Sequence, residues 1–417
     1  MEDDIEVQVE DNSPSIENTL RPLSYTSWLM GVGVARPRKC PKYVTIIIRI
    51  FHLLVCSVST TYCVLDFFTF DTAFASDSDV YKFMYSMNRV TGCVAAYYYI
   101  YHGISQYNKW TELMDKMKKL DQKIKRETPI DDQPIKIADS LAVLTIFVCC
   151  PVSLIVHALY YYFTHPEYIY VSDLLFYIMI AQSLVNSFVF DIVVYVLCYR
   201  FQAINELIGQ LDQLFDASKI APKIRRIRVL YNSINDLVVV INDIHGLHLL
   251  LCSANCFAMA VATLFRIYMG VREKDYMLVA VHNVLWIVYV AQFGLMCWIC
   301  TLARQASLRT RIIIYTFLLN RENLDQDFGV KNEINDFSIQ LQQYRVTFTA
   351  CNFFEMNNAL FNDMVGVITV YLIILIQFYQ PPKDSKHNEL IHGLTLLRAD
   401  NSYRQTEITL NNTLTFY

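Results

Sequence analysis

Charge is what this sequence has least of. Lysine, arginine, aspartate and glutamate supply 18% of its 417 residues, where a soluble chain carries about 25%. Hydrophobic residues make up 54% and aromatic ones 14%, and the mean hydropathy is +0.29. That composition excludes disorder, a small secreted disulfide scaffold and most soluble enzymes. The formal charge of -4 leaves no basic footprint for nucleic acid. The N-terminus (MEDDIEVQVEDNSPSIEN) lacks the basic and apolar regions of a signal peptide, so the first span is expected to do the targeting. Catalytic motifs are missing too. There is no Gly-rich phosphate loop, no Gly-x-Ser-x-Gly and no polar cluster at one membrane face, so no enzyme and no cofactor is expected. His245-x-x-His248 lacks a glutamate, and Cys297-x-x-Cys300 lacks a second pair, so neither reads as a metal site. No internal repeat is visible, which weakens an inverted-repeat transporter.

Long apolar blocks are what the sequence does have. Seven are long enough for a hydrocarbon core of about 30 Å: 44–66, 81–103, 140–163, 173–198, 246–268, 277–302 and 356–379. The first carries Arg49 and His52, and the second carries Arg89. Lysine and arginine concentrate before span 1 and in loops 2–3, 4–5 and 6–7, while the alternate loops are poor in them. By the positive-inside rule the N-terminus is cytoplasmic and the C-terminus outside. That orientation is opposite to a G-protein-coupled receptor. No Asp-Arg-Tyr follows span 3, and no Asn-Pro-x-x-Tyr lies in span 7.

The inner loops are long and patterned. Ile204, Leu207, Ile208, Leu211 and Leu214 recur at helical steps, as do Ile224, Ile227, Leu230 and Ile234 after Pro222. Ile334, Phe337 and Leu341 repeat the pattern before span 7. These helices either pack on their own subunit or build a bundle that joins subunits. The last span ends Val370-Tyr371-Leu372-Ile373-Ile374-Leu375-Ile376-Gln377-Phe378. One amide at the end of so apolar a helix should face protein or water.

That ending resembles the hallmark of insect gustatory receptors: Thr-Tyr, five hydrophobic residues, then Gln-Phe. Phe348-Thr349-Ala350, Phe353-Phe354 and Met356-Asn357 also look like that family's approach to its last span. Val370 stands where the family has threonine, and residues 381–417 run past the point where members usually stop. The resemblance implies an all-α, polytopic fold that is likewise similar to insect odorant receptors, with four subunits around one pore. The chain then divides into a cytoplasmic segment (1–43), helices 1–4 (44–200), a cytosolic anchor (201–245), helices 5–6 (246–302), further anchor helices (303–355), a pore-lining helix (356–379) and an extracellular tail (380–417).

By the same resemblance the function is a ligand-gated, non-selective cation channel that detects small-molecule tastants in the plasma membrane of chemosensory neurons. Monovalent and divalent cations are the implied permeants. Lipid and other gustatory receptor subunits, or further copies of this chain, are the implied partners. Gln377 and Phe378 match the motif at the outer gate, and Tyr371 and Ile374 match positions lower on that helix. The ligand pocket is expected among spans 2 to 6. Its candidates are Tyr85, Arg89, His157, Tyr161, Tyr177, Gln182, His282, Asn283 and Trp286, whose aromatics stack and whose amides and imidazoles orient hydroxyls. Ordinary helix packing is the competing reading for each aromatic. Arg89 stands apart, because a charge at that depth needs a partner, and Asp191 is a candidate. Asn411-Asn412-Thr413 is a glycosylation sequon if the tail lies outside. A small-solute transporter and an odorant-type subunit needing a co-receptor remain as alternatives.

Overall fold

The computed structural model describes residues 16–73, 79–164, 171–213, 217–274, 276–320 and 328–378. The calls on the tail, Asn411 included, fall outside these described residues. Nearly every described residue is helical. Two short helices, α1 (Ile16–Thr19) and α2 (Arg21–Leu29), precede α3 (Lys42–Ala73), α4 (Asp79–Ser105) and α5 (Lys109–Lys125). Then come α6 (Gln133–Thr164), α7 (Val171–Gly209), α8 (Ala217–Glu273), α9 (Tyr276–Asn320) and α10 (Phe328–Gln343). A two-stranded hairpin, β1 (Thr349–Ala350) and β2 (Phe354–Glu355), leads into α11 (Asn358–Phe378).

Six helices are long and apolar enough to cross a membrane among the described residues: α3, α6, α7, α8, α9 and α11. The expected second span, α4, is a 27-residue helix but is not among the six. Asn88 and Arg89 lie in its middle and are buried. Three helices outrun any bilayer. α7 has 39 residues, α8 has 57 and α9 has 45. At 1.5 Å per residue α8 alone is about 85 Å long. The patterned loops are thus continuations of the spans, and the expected boundaries at 200, 245 and 302 fall inside unbroken helices. These extensions join α5 and α10 in a polar base. Helix α5 shows why it belongs there. Trp110, Leu113, Met114, Met117, Leu120 and Ile124 are buried at three- and four-residue steps, and lysines fill the other face.

The core runs through both parts. Phe190, Phe201, Tyr231, Phe293 and Phe337 are buried in one cluster with the α7, α8 and α9 seams. Helix α7 is the axis of the subunit: 94% of its apolar window is buried, against 6% for α11. The segment after α2 tucks in beside it, through two left-handed glycines, Gly31 (φ 68) and Gly33 (φ 55). Arg49 closes over that segment. Its guanidinium donates to the carbonyls of Gly31, Val32 and Gly33. A charge inside an apolar helix is therefore held by the chain's own backbone, which offsets the cost of burying it.

Candidate functional site

The base is pinned by polar ties, most of them buried. Arg200 of α7 donates from Nε to Asp121 Oδ1 at 2.7 Å and from Nη2 to Asp132 Oδ1 at 2.8 Å. Burial pushes the Asp121 carboxyl above the usual carboxylate value, while Arg200 pulls it back. Tyr231 and Ser307 join α8 to α9 at 2.7 Å. Asn205 of α7 donates to the Ala306 carbonyl at 2.9 Å and accepts from Thr310 at 2.7 Å. Arg228 joins α8 to Glu333 and Asp336 of α10, each at 3.0 Å.

The hairpin carries this frame to α11. Thr349 pairs with Glu355 and Ala350 with Phe354. The Asn242 side chain of α8 braces the hairpin edge: its amide donates to the Thr347 carbonyl at 2.8 Å and accepts from the Thr349 N–H at 3.2 Å. Gly246, one turn on, lets the turn come close, since a Cβ there would stand 3.3 Å from the Cys351 nitrogen. Arg304 of α9 holds Glu355 at 3.0 Å. Thr301 accepts the Asn358 N–H at 3.0 Å, and Asn357 caps the helix by accepting the Leu360 N–H at 2.9 Å. Helix α11 thus starts from a rigid mount built by α8 and α9.

Beyond the mount, α11 rests on one narrow seat. Ile368 is buried against Ala260 and Val261, with Met364 and Leu375 beside it. Phe361 lies 6.3 Å from the Phe293 ring. Tyr371 packs edge-on against Phe257 at 5.4 Å, so it belongs to the flank of the seat. Ile374 is exposed, and Gln377 is exposed too. At 100° per residue Gln377 stands about 120° around the helix from Tyr371. Phe378 closes the helix, and its side chain is outside the described residues.

The expected ligand residues fare unevenly. The side chains of Tyr85, His157, Tyr161, His282, Asn283 and Trp286 lie outside the described residues. Tyr177 is buried. The Gln182 amide is committed within the chain, donating to the Met30 carbonyl at 3.0 Å and lying 3.3 Å from His52 Nδ1. It braces α7 against α3 and the N-terminal segment. Arg89 reaches Cys63 Sγ at 3.6 Å. The suggested pairing of Arg89 with Asp191 does not form. Asp191 instead accepts from Gln292 of α9 at 2.6 Å, deep in the α7–α9 seam. Depth separates the two, because Arg89 sits beside the far part of α3 and Asp191 midway along α7.

Tyr99, Ser183 and Ser187 escaped the sequence reading. The Tyr99 hydroxyl lies 3.1 Å from His248 Nδ1 and 3.3 Å from the Ser183 hydroxyl. Ser187 is 3.4 Å from the other His248 ring nitrogen. His248 is thus a buried hydrogen-bonding hub between α4, α7 and α8. No cluster of three or more metal-ligating side chains occurs among the described residues. The twelve cysteines are free thiols. Asn242, Gly246 and Gln292 carry no local signal, since each acts across more than forty residues.

Together these features define a helical, multi-span membrane protein on a polar helical base, with one apolar helix mounted by a hairpin at its side. The model of the 7tm chemosensory receptor family matches residues 20–380. The chain belongs to that family. Gustatory receptor 23a of Drosophila melanogaster is 28% identical over 165 residues, 38% of this chain and 42% of that protein. Putative gustatory receptor 2a of the same organism is 22% identical over 196 residues, 42% of this chain and 45% of that protein. These matches span less than half the length of the curated relatives. The insect olfactory receptor OR5 from Machilis hrabei superposes with a TM-score of 0.60 at 10% identity, covering 87% of this chain and 98% of that one. Its complex with eugenol gives a TM-score of 0.56 at 12% identity over the same shares. At such identity the likeness shows the fold.

Proposed function

We propose that this chain is a gustatory receptor: a ligand-gated cation channel in which a small organic molecule, bound among spans 2 to 6, opens a pore lined by α11. The N-terminus and the polar base lie in the cytosol, four subunits surround the pore, and the protein works in the plasma membrane of chemosensory neurons. The observation that carries the reading is α11 itself. It is a 21-residue apolar helix with one terminal amide and 6% of its apolar window covered by its own subunit. Such a surface suits contact with lipid on one side and copies of itself on the other. The eugenol complex of the structural relative supports a small apolar or aromatic ligand. A ring of phenylalanines at position 378 closes the pore by dewetting, and Gln377 offers polar contact to hydrated cations once it turns inward.

Whole-cell recording from cells expressing this chain, perfused with sugars and bitter compounds, tests the proposal. A ligand-evoked cation current is expected, and Gln377→Ala or Phe378→Ala should alter its conductance or leave a standing leak. Current that is indifferent to both changes would remove α11 from the pore.

A further inference from the structure

We infer that the base holds a second binding site, a basic cleft between α5, α8 and α10 that takes a soluble anion bearing two or more phosphate groups. The cleft has a volume of about 640 Å³ and is lined by Lys123, Arg126, Arg225 and Arg226 with Glu127 and Glu333. Both carboxylates are already engaged: Glu127 by Arg226 at 3.2 Å, and Glu333 by Arg228 at 3.0 Å. Lys123, Arg126 and Arg225 therefore face the space with no acidic partner among the described residues. Three uncompensated cations converging from two helices on one cavity form an anion site, and two arginines suit the planar, two-pronged contacts that phosphate oxygens accept. One wall is apolar, formed by Ala221, Pro222, Val229 and Leu230, which lowers the local dielectric and strengthens those charges. A second cleft of about 450 Å³ adjoins it through the shared Lys123 and is lined by Lys119, by Lys116, which pairs with Glu112 at 2.9 Å, and by Asp236.

Geometry separates two sources of phosphate. Helix α5 runs against α8 in the opposite sense. Lys109 pairs with Asp243 at one end, and Glu127 binds Arg226 at the other. Asp243 lies just before the expected entry of α8 into the membrane at residue 246. The cleft is 17 residues of α8 further out, counting from Asp243 to Arg226, or about 25 Å along the helix. A lipid headgroup held at the bilayer surface does not reach that far, so a free cytosolic polyphosphate is the fitting occupant. The choice of compartment rests on the orientation proposed above, while the site itself does not.

The test is calorimetric titration of the full-length protein in nanodiscs with inorganic tripolyphosphate. Binding is expected, weakening as salt rises. The double reversal Arg126→Glu with Arg225→Glu should lower affinity by about tenfold or more, whereas Lys118→Glu, outside the cleft on the same helix, should leave it unchanged. Size-exclusion profiles and thermal melts check that the variants keep their fold, which the exposure of both arginines favours. Failure of the unmodified protein to bind, or equal binding by the double variant, overturns the site. Binding to nanodiscs containing phosphatidylinositol bisphosphate, with none to tripolyphosphate, overturns the soluble source. The readout needs no current, so it fails or succeeds apart from the channel proposal.

Discussion

Arg200 holds two buried carboxylates, and the balance of charge there makes it the most exacting residue in the base. Asp121 and Asp132 contribute two negative charges and Arg200 one positive, with all three side chains buried. Arg200→Met would remove the cation that both buried acids share, leaving Lys125 as the remaining charge acting on Asp121. A cost of about 3–5 kcal/mol is expected, read as a lower melting temperature in detergent; a shift worth under about 1 kcal/mol would mean that the triad contributes little. The titration of Asp121 gives a second prediction. Burial raises its carboxyl above the ordinary value of 3.8. A carboxyl that holds its proton more tightly when folded contributes stability that is full below the unfolded value and is lost as pH rises through the folded one. The contribution of Asp121 should therefore shrink as pH climbs away from about 4, so Asp121→Asn should gain in melting temperature relative to the unmodified protein over that range. Parallel profiles for the variant and the unmodified protein would refute it.

At the scale of elements the hairpin before α11 governs the most and was the least legible. Its residues were recognisable as a family-like string, yet strands of two residues show no alternation to read. They are held by Asn242, more than a hundred positions away, and by a close approach at Gly246. The long helices were half legible. Their apolar steps at 204–208 and 224–234 predicted helix correctly, while Leu211 falls in a 3-10 turn (Gln210–Gln213) after α7 and Leu214 lies outside the described residues. Pro222 precedes the second run. It falls near the start of α8, where one lost N–H bond disturbs little of a 57-residue ladder. The proposed gate residues Tyr371, Ile374 and Gln377 were legible as a motif, whereas the seat that turns Tyr371 onto Phe257 was not.

Two changes test the hairpin. Cys351 has φ 50 and Asn352 has φ 61, a turn that asparagine adopts at less cost than cysteine. Cys351→Gly should raise stability by about 1 kcal/mol, seen as a higher melting temperature with the ligand response intact. Gly246→Val should do the reverse, pushing the turn off α8 and weakening gating; an unchanged dose-response curve would show that the mount is slack.

For the whole molecule the question is what covers α11. A lone subunit leaves Val365, Val367, Val370, Ile373 and Ile374 exposed around the helix, a surface that dissolves equally well in lipid or against copies of itself. Lipid alone does not explain the terminal amide, because Gln377 in hydrocarbon would lack a partner. The proposed shared, wet axis would supply one. Ile374 and Val365 sit nine residues apart and so on opposite sides of the helix. In a ring closed by symmetry only one of those sides meets the neighbours' equivalents. The side of Phe378 and Ile374 is the one expected at the axis. Ile374→Cys, oxidised in membranes, should yield subunit dimers on a non-reducing gel, and Val365→Cys should not. Cross-linking at 365 alone would turn the helix the other way round and place Ile374 in lipid. Dimers from neither would leave α11 outside the contact between copies, and the pore would have to be sought on another helix.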